Sequence, residues 1–117
     1  MNLQILIDQV KKHPDIHRVG MILGHNGIVR ATSRDGSRVR EITVRADRDA
    51  LGRILDDARK KEGIIEVLAE VREGRLLPGD DIMFLVVAGD FRENVISCMS
   101  DLINAKKSEV TSKREIG

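Results

Sequence analysis

The run Ile82-Met83-Phe84-Leu85-Val86-Val87-Ala88 is the longest apolar stretch of the 117-residue chain. An unbroken apolar run without polar alternation is typical of a β-strand that is covered on both faces. The run is far too short to cross a bilayer, which takes about 20 residues in a helix. It therefore predicts a strand that is buried inside a single globular domain.

Three segments around this strand carry apolar residues at helical spacing and predict amphipathic helices. The first runs from Leu3 to Lys12 and ends before Pro14, because the residue before a proline disfavours helical angles. The second follows Asp47, a residue suited to cap a helix, and the third follows Asp90. Gly52 in the second helix should cost about 1 kcal/mol relative to alanine, which predicts that another group packs closely against it.

Short extended segments separated by turn signals predict the other strands. These strands are Val19 to Leu23, Gly27 to Ser33, Arg38 to Ala46 and Ile65 to Val71. The predicted turns are His25-Asn26-Gly27 and Arg34-Asp35-Gly36-Ser37. The order predicts one α+β domain, residues 1–117, with a largely antiparallel sheet and flanking helices. Residues 106–117 form a polar C-terminal tail in which no further element is predicted.

Composition excludes several classes of function. The chain has 20 Lys+Arg and 19 Asp+Glu, and this balance argues against a nucleic-acid partner. Phe84 and Phe91 are the only aromatic residues, so bases have almost nothing to stack on. Cys98 is alone and falls on the apolar stripe of the third helix, which predicts a buried thiol. We expect no metal, no cofactor, no membrane contact and a cytoplasmic location.

Four cationic residues are candidates for an anion site. Arg30 follows a predicted strand, and Arg92 lies in the first turn of the last helix, where acidic residues are the usual choice. Lys106 and Lys113 are seven residues apart, at the end of that helix and in the tail. Each of them alone is most simply a solvated surface charge, so these residues by themselves support only an anion-binding hypothesis.

Three blocks of sequence, in this order and spacing, resemble the large, catalytic subunit of molybdopterin synthase, the MoaE family. Gly20 to Arg30 is similar to the family's Gly-(apolar)3-x-x-x-Gly-x-Val-Arg strand. Arg72 to Ile82 is similar to its Arg-x-Gly-x-Leu-x-Pro-Gly-Asp segment. Cys98 to Glu115 resembles a helix that ends in lysine and is followed, seven residues later, by Lys-Arg-Glu. The resemblance covers about Val19 to Glu115 and implies the α+β fold of that family.

The resemblance implies a sulfurtransferase that works in molybdenum cofactor biosynthesis. In this family, the thiocarboxylated Gly-Gly terminus of a small ubiquitin-like subunit (MoaD-like) donates sulfur to a cyclic pyranopterin phosphate, and two transfers give the molybdopterin dithiolene. Lys106 and Lys113 correspond to the two lysines at the chemistry, and Arg30 corresponds to an arginine of the anion pocket. Arg92 corresponds to an arginine that is contributed across a homodimer, within a heterotetramer.

Departures from the family pattern leave a second interpretation open. Phe91 stands where the family usually has histidine, and Thr111-Ser112 stand where it usually has aromatic residues. These changes favour a non-catalytic paralogue that binds a ubiquitin-like Gly-Gly tail or a phosphorylated ligand. A third interpretation is an unrelated small α+β protein that binds a ligand or nucleic acid, and the balanced charge speaks against nucleic acid.

Overall fold

The computed structural model describes the backbone of residues 2–109 and 111–116 and the side chains of residues 2–104. In chain order the elements are α1 (Leu3–Lys11), a 3-10 turn (Ile16–Arg18), β1 (Met21–Ile28), β2 (Glu41–Ala46), α2 (Arg48–Arg59), β3 (Ile64–Val71), β4 (Gly74–Leu76), β5 (Asp81–Gly89), α3 (Arg92–Glu109) and β6 (Thr111–Ile116). The expected α+β class is confirmed.

The described strands form two antiparallel sheets of three strands each. The main sheet has the order β1-β5-β3, and the second sheet has the order β4-β2-β6. β1 pairs with β5 over its whole length, from Met21 opposite Gly89 to Ile28 opposite Asp81. In the second sheet, Val44 of β2 lies opposite Gly74 on one side and opposite Lys113 on the other.

β5 is covered on both faces, as its apolar run predicts. Phe84 and Val86 pack with Leu6 and Val10 of α1 on one face. On the other face, the alternate residues pack in a larger cluster that is supplied by α2, α3 and the second sheet. Phe84 and Val86 are no more than 1% exposed, and burying a side chain of this kind stabilises the fold by about 1.5–3 kcal/mol. β5 therefore contributes residues to both hydrophobic cores, one on each face of the main sheet.

The predicted cap of α2, the predicted end of α1 and the buried thiol are confirmed. The Asp47 carboxylate accepts a hydrogen bond from the Ala50 amide at 3.0 Å and caps α2, and α1 ends before Pro14. Cys98 is 1% exposed, and burial raises the pKa of its thiol. Among the residues described, no helix has the length and the apolar character that a bilayer span requires.

One predicted turn and the bounds of the predicted strands around it were wrong. His25-Asn26-Gly27 does not turn but continues β1, with Asn26 opposite Phe84 and Gly27 opposite Met83. Asn and Gly tolerate a turn without requiring one, and the long buried β5 offers every residue of β1 a ladder partner. The strand predicted from Arg38 starts only at Glu41. The predicted turn at 34–37 is confirmed, with the Gly36 amide donating to the Ser33 carbonyl at 3.0 Å. Its flanks form only the isolated bridge between Thr32 and Arg38 rather than two strands.

The prediction of a tail without secondary structure was also wrong. α3 continues to Glu109, and β6 then pairs with β2 from Ala46 opposite Thr111 to Glu41 opposite Ile116. Polar residues give little local strand signal, and a partner strand far away in sequence decides the outcome.

The expected close packing at Gly52 is absent as well. Gly52 is exposed, and a Cβ placed there would meet no atom within 4 Å. The residue therefore weakens α2 without a compensating contact.

We predict that Gly52→Ala raises the free energy of unfolding by about 0.5–1 kcal/mol, because alanine loses less backbone entropy in a helix. Urea denaturation followed by circular dichroism measures the change. Gly63→Ala is the matched control and should destabilise, because Gly63 has a φ of +76° and its Cβ would overlap the Asp90 carboxylate. A lower denaturation midpoint for Gly52→Ala would contradict the prediction.

Candidate anion-binding site

Arg30 extends into solvent from a backbone that is held on both sides. The Val29 amide donates to the Asp80 carbonyl and the Gly79 amide donates to the Val29 carbonyl, both at 2.9 Å. The Val29 side chain is 4% exposed and anchors this point in the core. Arg30 itself is exposed, and its Nη2 makes a long hydrogen bond of 3.4 Å to Thr32 Oγ1. The backbone position from which the guanidinium extends is thus fixed, and most of its N–H donors are available to bind an anion.

The turn Leu77-Pro78-Gly79-Asp80 is the clamp that fixes Arg30. The Asp80 carboxylate accepts a hydrogen bond from the Leu77 amide at 2.8 Å, and the Asp80 amide donates back to the Leu77 carbonyl at 2.9 Å. Gly79 takes a φ of +92°, which glycine tolerates at no steric cost. The sequence analysis gave Asp80 no role of its own, although its Pro-Gly-Asp pattern is a turn signal that could have identified it.

A basic hairpin follows Arg30. Arg34 and Arg38 are both exposed. The carboxylate of Asp35 accepts hydrogen bonds from the Ser33 hydroxyl at 2.5 Å and from the Ser37 amide at 2.9 Å. These bonds, the Ser33 hydroxyl first, lower the pKa of Asp35 to about 2. Asp35 is therefore ionised and its oxygens are held within its own turn, while Arg34, Arg38 and Arg40 outnumber it and leave the segment with a net positive charge.

Arg92 opens α3 at the opposite end of β5. Its side chain is 79% exposed, and its Nε lies 3.5 Å from a carboxylate oxygen of Glu93. The preceding Asp90 accepts hydrogen bonds from the Asn94 side chain at 2.9 Å and from the Phe91 amide at 2.6 Å. These two bonds, that from Asn94 first, lower the pKa of Asp90. Asp90 thus fixes the start of α3, as a capping residue does.

The two arginines do not meet within one chain. The Met21 end of β1 lies beside Gly89, close to the start of α3, and the Ile28 end lies beside Asp81. Seven residue steps separate these ends, which is about 23 Å at ~3.3 Å per residue. Arg30 follows the far end, so the structure keeps Arg30 and Arg92 at opposite ends of the main sheet.

The two lysine positions lie toward the Arg30 end. Lys106 is in the last part of α3, which leads directly to β6, and Lys113 in β6 lies opposite Val44 of β2. β4, which pairs with β2, connects the Val71 end of β3 to the Asp81 end of β5, so the second sheet lies at the end of the main sheet where β1 ends. The side chains of Lys106 and Lys113 lie outside the described residues. The backbone thus brings both positions to the end of the molecule that carries Arg30.

The described residues contain no group of three or more His, Cys, Asp and Glu side chains with a metal-binding arrangement. Exposed guanidinium groups are instead the donors available at this end of the fold, and such groups bind phosphate and carboxylate through paired hydrogen bonds.

We predict that Asp80→Ala loosens the backbone from which Arg30 extends. Amide hydrogen exchange followed by NMR should become faster at Leu77, Gly79 and Val29, because the turn loses the acceptor that closes it. Asp80→Asn keeps an acceptor oxygen and should retain the protection. Equal exchange rates in Asp80→Ala and the parent protein would show that the carboxylate does not hold the turn.

Comparisons with known proteins agree on one family. The sequence model of the family described as "MoaE protein" matches residues 2–109. The structure resembles the molybdopterin biosynthesis MoaE protein from Burkholderia ambifaria MC40-6, with a TM-score of 0.78 and 20% identity, over 99% of this chain and 82% of that chain. It also resembles molybdopterin synthase from Staphylococcus aureus, with a TM-score of 0.71 and 20% identity, over 89% of this chain and 84% of that one.

A third similar structure is a complex of subunits 1 and 2 of molybdopterin-converting factor from Helicobacter pylori 26695. Its TM-score is 0.74 and its identity is 15%, over 98% of this chain and 78% of that chain. No curated protein matches this chain. At these identities the structural likeness shows the shared fold.

Proposed function

Because the chain belongs to the MoaE family, we propose that it is the sulfur-transferring large subunit of a molybdopterin synthase. Family membership supports a role in molybdenum cofactor biosynthesis. In the proposed reaction, a thiocarboxylated small ubiquitin-like subunit gives sulfur to cyclic pyranopterin monophosphate, and two transfers form the dithiolene. The observation that carries the proposal is the exposed Arg30 on its clamped backbone, at the same end of the fold as positions 106 and 113.

The proposed task of Arg30 is to bind the phosphate of the pterin. A guanidinium presents a rigid fork of donors that matches the oxygens of a phosphate. The clamp at Val29 lowers the cost of positioning this fork, because the backbone is already ordered before the ligand arrives. The basic hairpin beyond Arg30 adds positive potential that attracts the same ligand.

The proposed task of Lys106 and Lys113 is to stabilise charge during sulfur transfer. The sulfur of the thiocarboxylate attacks an oxygen-bearing carbon of the pterin side chain, and the C–O bond of that carbon breaks as its oxygen leaves as water or as the phosphate-ester oxygen. Water then cleaves the acyl–sulfur bond, which leaves the sulfur on the pterin and a carboxylate on the small subunit. Negative charge develops on oxygen and sulfur in both steps, and ammonium groups held nearby lower the barrier. A lysine close to other cations also has a lowered pKa, so it can exchange a proton.

The proposed partner is a small ubiquitin-like subunit. The similar Helicobacter pylori structure is a complex of two subunits of molybdopterin-converting factor, and this likeness supports an equivalent partner here. The separation of Arg30 from Arg92 supports a second proposal, that two copies of this chain assemble. If both arginines serve one site, Arg92 has to come from the other copy, because about 23 Å of strand separates them in one chain.

We predict that Lys113→Ala lowers the rate of dithiolene formation by about 100-fold or more, because the transition state loses a nearby positive charge. The backbone hydrogen bonds between β6 and β2 do not involve the side chain, so the fold should persist. The measurement mixes the purified protein with a thiocarboxylated small subunit and cyclic pyranopterin phosphate and quantifies the product. Lys107→Ala is the control, because it removes one positive charge from a lysine that is not assigned to the site. A wild-type rate for Lys113→Ala would show that this lysine takes no part in the reaction.

We predict that Arg30→Ala and Arg92→Ala complement each other. Each variant alone should bind the phosphorylated pterin weakly and make little product. Mixed and re-equilibrated in equal amounts, the two should regain about a quarter of the wild-type rate. This follows because half of the dimers are hybrids, and each hybrid has one intact site made of both chains. Two variants that stay inactive after subunit exchange would exclude a shared site.

A non-catalytic, ligand-binding paralogue is the second candidate function. Phe91 is 65% exposed directly before Arg92, at the position where the family usually has histidine, and phenylalanine cannot transfer a proton or donate a hydrogen bond. The same reconstitution separates the two candidates. Binding of the small subunit without any dithiolene product would favour the paralogue.

A further inference from the structure

The basic hairpin that follows β1 brings Thr32 and Arg38 together on one face. These two residues form the bridge between the two arms of the hairpin. Backbone hydrogen bonds flank the bridge, one of them from the Val39 amide to the Ala31 carbonyl at 2.7 Å. Residues paired in this way have Cβ atoms about 4.5–5.5 Å apart and on the same side of the hairpin. The side chains of Thr32 and Arg38 are therefore neighbours.

Two buried valines show that this face is turned toward solvent. Val29 and Val39 both belong to the larger core cluster. Successive residues of an extended chain point to opposite faces, so Arg30, which follows Val29, points away from the core. Arg38, which precedes Val39, does the same, and both arginines are exposed. The hairpin thus presents two guanidinium groups on its solvent face.

The two guanidinium groups meet beside Thr32. Arg30 Nη2 donates to Thr32 Oγ1 at 3.4 Å, so the guanidinium of Arg30 is already directed toward Thr32. Arg38 lies directly across from Thr32 in the other arm. Arg30 and Arg38 are therefore diagonal neighbours, and positions of this kind are about 7–8 Å apart, a distance that long side chains bridge. Both arginines can reach one small ligand.

The turn of the hairpin holds the two arms in this register. The Asp35 carboxylate accepts hydrogen bonds from the Ser33 hydroxyl and from the Ser37 amide. Gly36 takes a φ of +88°, which glycine adopts at no steric cost. The backbone that carries Arg38 is thus ordered before a ligand arrives, and this order lowers the cost of binding.

The two arginines lack a neutralising partner in the described part of the chain. No carboxylate there forms an ion pair with Arg30 or Arg38. Two positive charges at this spacing repel each other. An anion bound between them would replace this repulsion with attraction and would accept charge-assisted hydrogen bonds from both guanidinium groups.

We propose that Arg38 is a second phosphate-binding residue, and that Arg30 and Arg38 bind one phosphate group between their guanidinium groups, beside Thr32. A phosphate is tetrahedral, so its oxygens can meet two guanidinium forks that approach from different sides. A carboxylate is planar, and a single fork already occupies both of its oxygens. The choice of phosphate as the ligand rests on the proposed function, in which Arg30 binds the phosphate of the pterin.

The first test is an NMR titration of the full chain with inorganic phosphate, at constant ionic strength and at a pH above the second pKa of phosphate. We expect the amide signals of Val29, Arg38 and Val39 to shift along one binding curve. Arg38→Ala should raise the Kd at least ~5-fold, because one of the two charge-assisted contacts is lost. Arg53→Ala is the matched control, since it removes an exposed arginine from α2, and it should leave the Kd unchanged.

The same titration tests the geometry of the site. Arg38→Lys keeps the charge and loses the fork, so it should bind phosphate more weakly than the parent protein does. Arg30→Ala should reduce the phosphate-induced shift of the Val39 amide, because both arginines bind the same anion. Acetate, at the same ionic strength, should bind at least ~5-fold more weakly than phosphate.

Four results of the titration would overturn the proposal. They are an unchanged Kd for Arg38→Ala, parent-like binding by Arg38→Lys, a full shift of the Val39 amide in Arg30→Ala, and acetate binding as tight as that of phosphate. The exposed position of Arg38 makes misfolding an unlikely cause of weaker binding, and unchanged amide signals in the main sheet of each variant check this directly.

The synthase reaction separates this proposal from the proposed function. Arg38→Ala should raise the KM for the phosphorylated pterin by about 10-fold, because Arg38 contacts the phosphate and not the reacting carbon. Dithiolene formation with an unchanged KM in this variant would keep the function and remove Arg38 from the site. Phosphate binding that depends on Arg30 and Arg38, in a protein that makes no dithiolene, would keep the site and remove the function.

Discussion

Burial of β5 on both faces is the constraint on which the rest of the structure depends. Phe84 and Val86 face α1 while the alternate residues face α2 and α3, so both cores fail if this strand shifts. Its length also sets the position of the candidate site. The Asp81 end of β5 lies beside the exit of β1 and Arg30, and the Gly89 end leads into α3 and Arg92. The two cationic positions are therefore separated by the length of one strand.

Local signals were enough for the parts of the fold that depend on neighbouring residues. The apolar run of β5, the Asp47 cap of α2 and the buried Cys98 were all predictable, because periodicity and capping act within a few residues. The continuation of β1 through His25-Asn26-Gly27 and the formation of β6 were not. Both depend on a partner strand that is distant in sequence, and no local pattern reports whether that partner is available.

The candidate site, like the fold, could be predicted from the sequence only in part. An exposed arginine such as Arg92 looks in the sequence like any solvated charge, and only the resemblance to a family singled it out. The structure adds two features that neither the sequence pattern nor the family resemblance contained. These are the separation of Arg92 from Arg30 and the clamp that Asp80 builds around Val29. Clamps of this kind are made by backbone groups, which carry no signature in side-chain identity beyond the turn residues.

The charges at the start of α3 support the proposal that Arg92 belongs to a site shared with another chain. A cation is disfavoured at this end of a helix, because the free amides already present positive charge there. Asp90 offsets part of that charge, and its lowered pKa shows that its ionised form is favoured, but its oxygens are held by Asn94 and Phe91 and not by Arg92. The carboxylate of Glu93 lies 3.5 Å from Arg92 Nε, but both side chains are exposed, so this pair offsets only part of the cost of the added positive charge. A phosphate bound between Arg92 and the partner subunit's Arg30 would offset that cost. Because Arg92 weakens its own helix, binding of such a ligand explains its presence better than the stability of the single chain does.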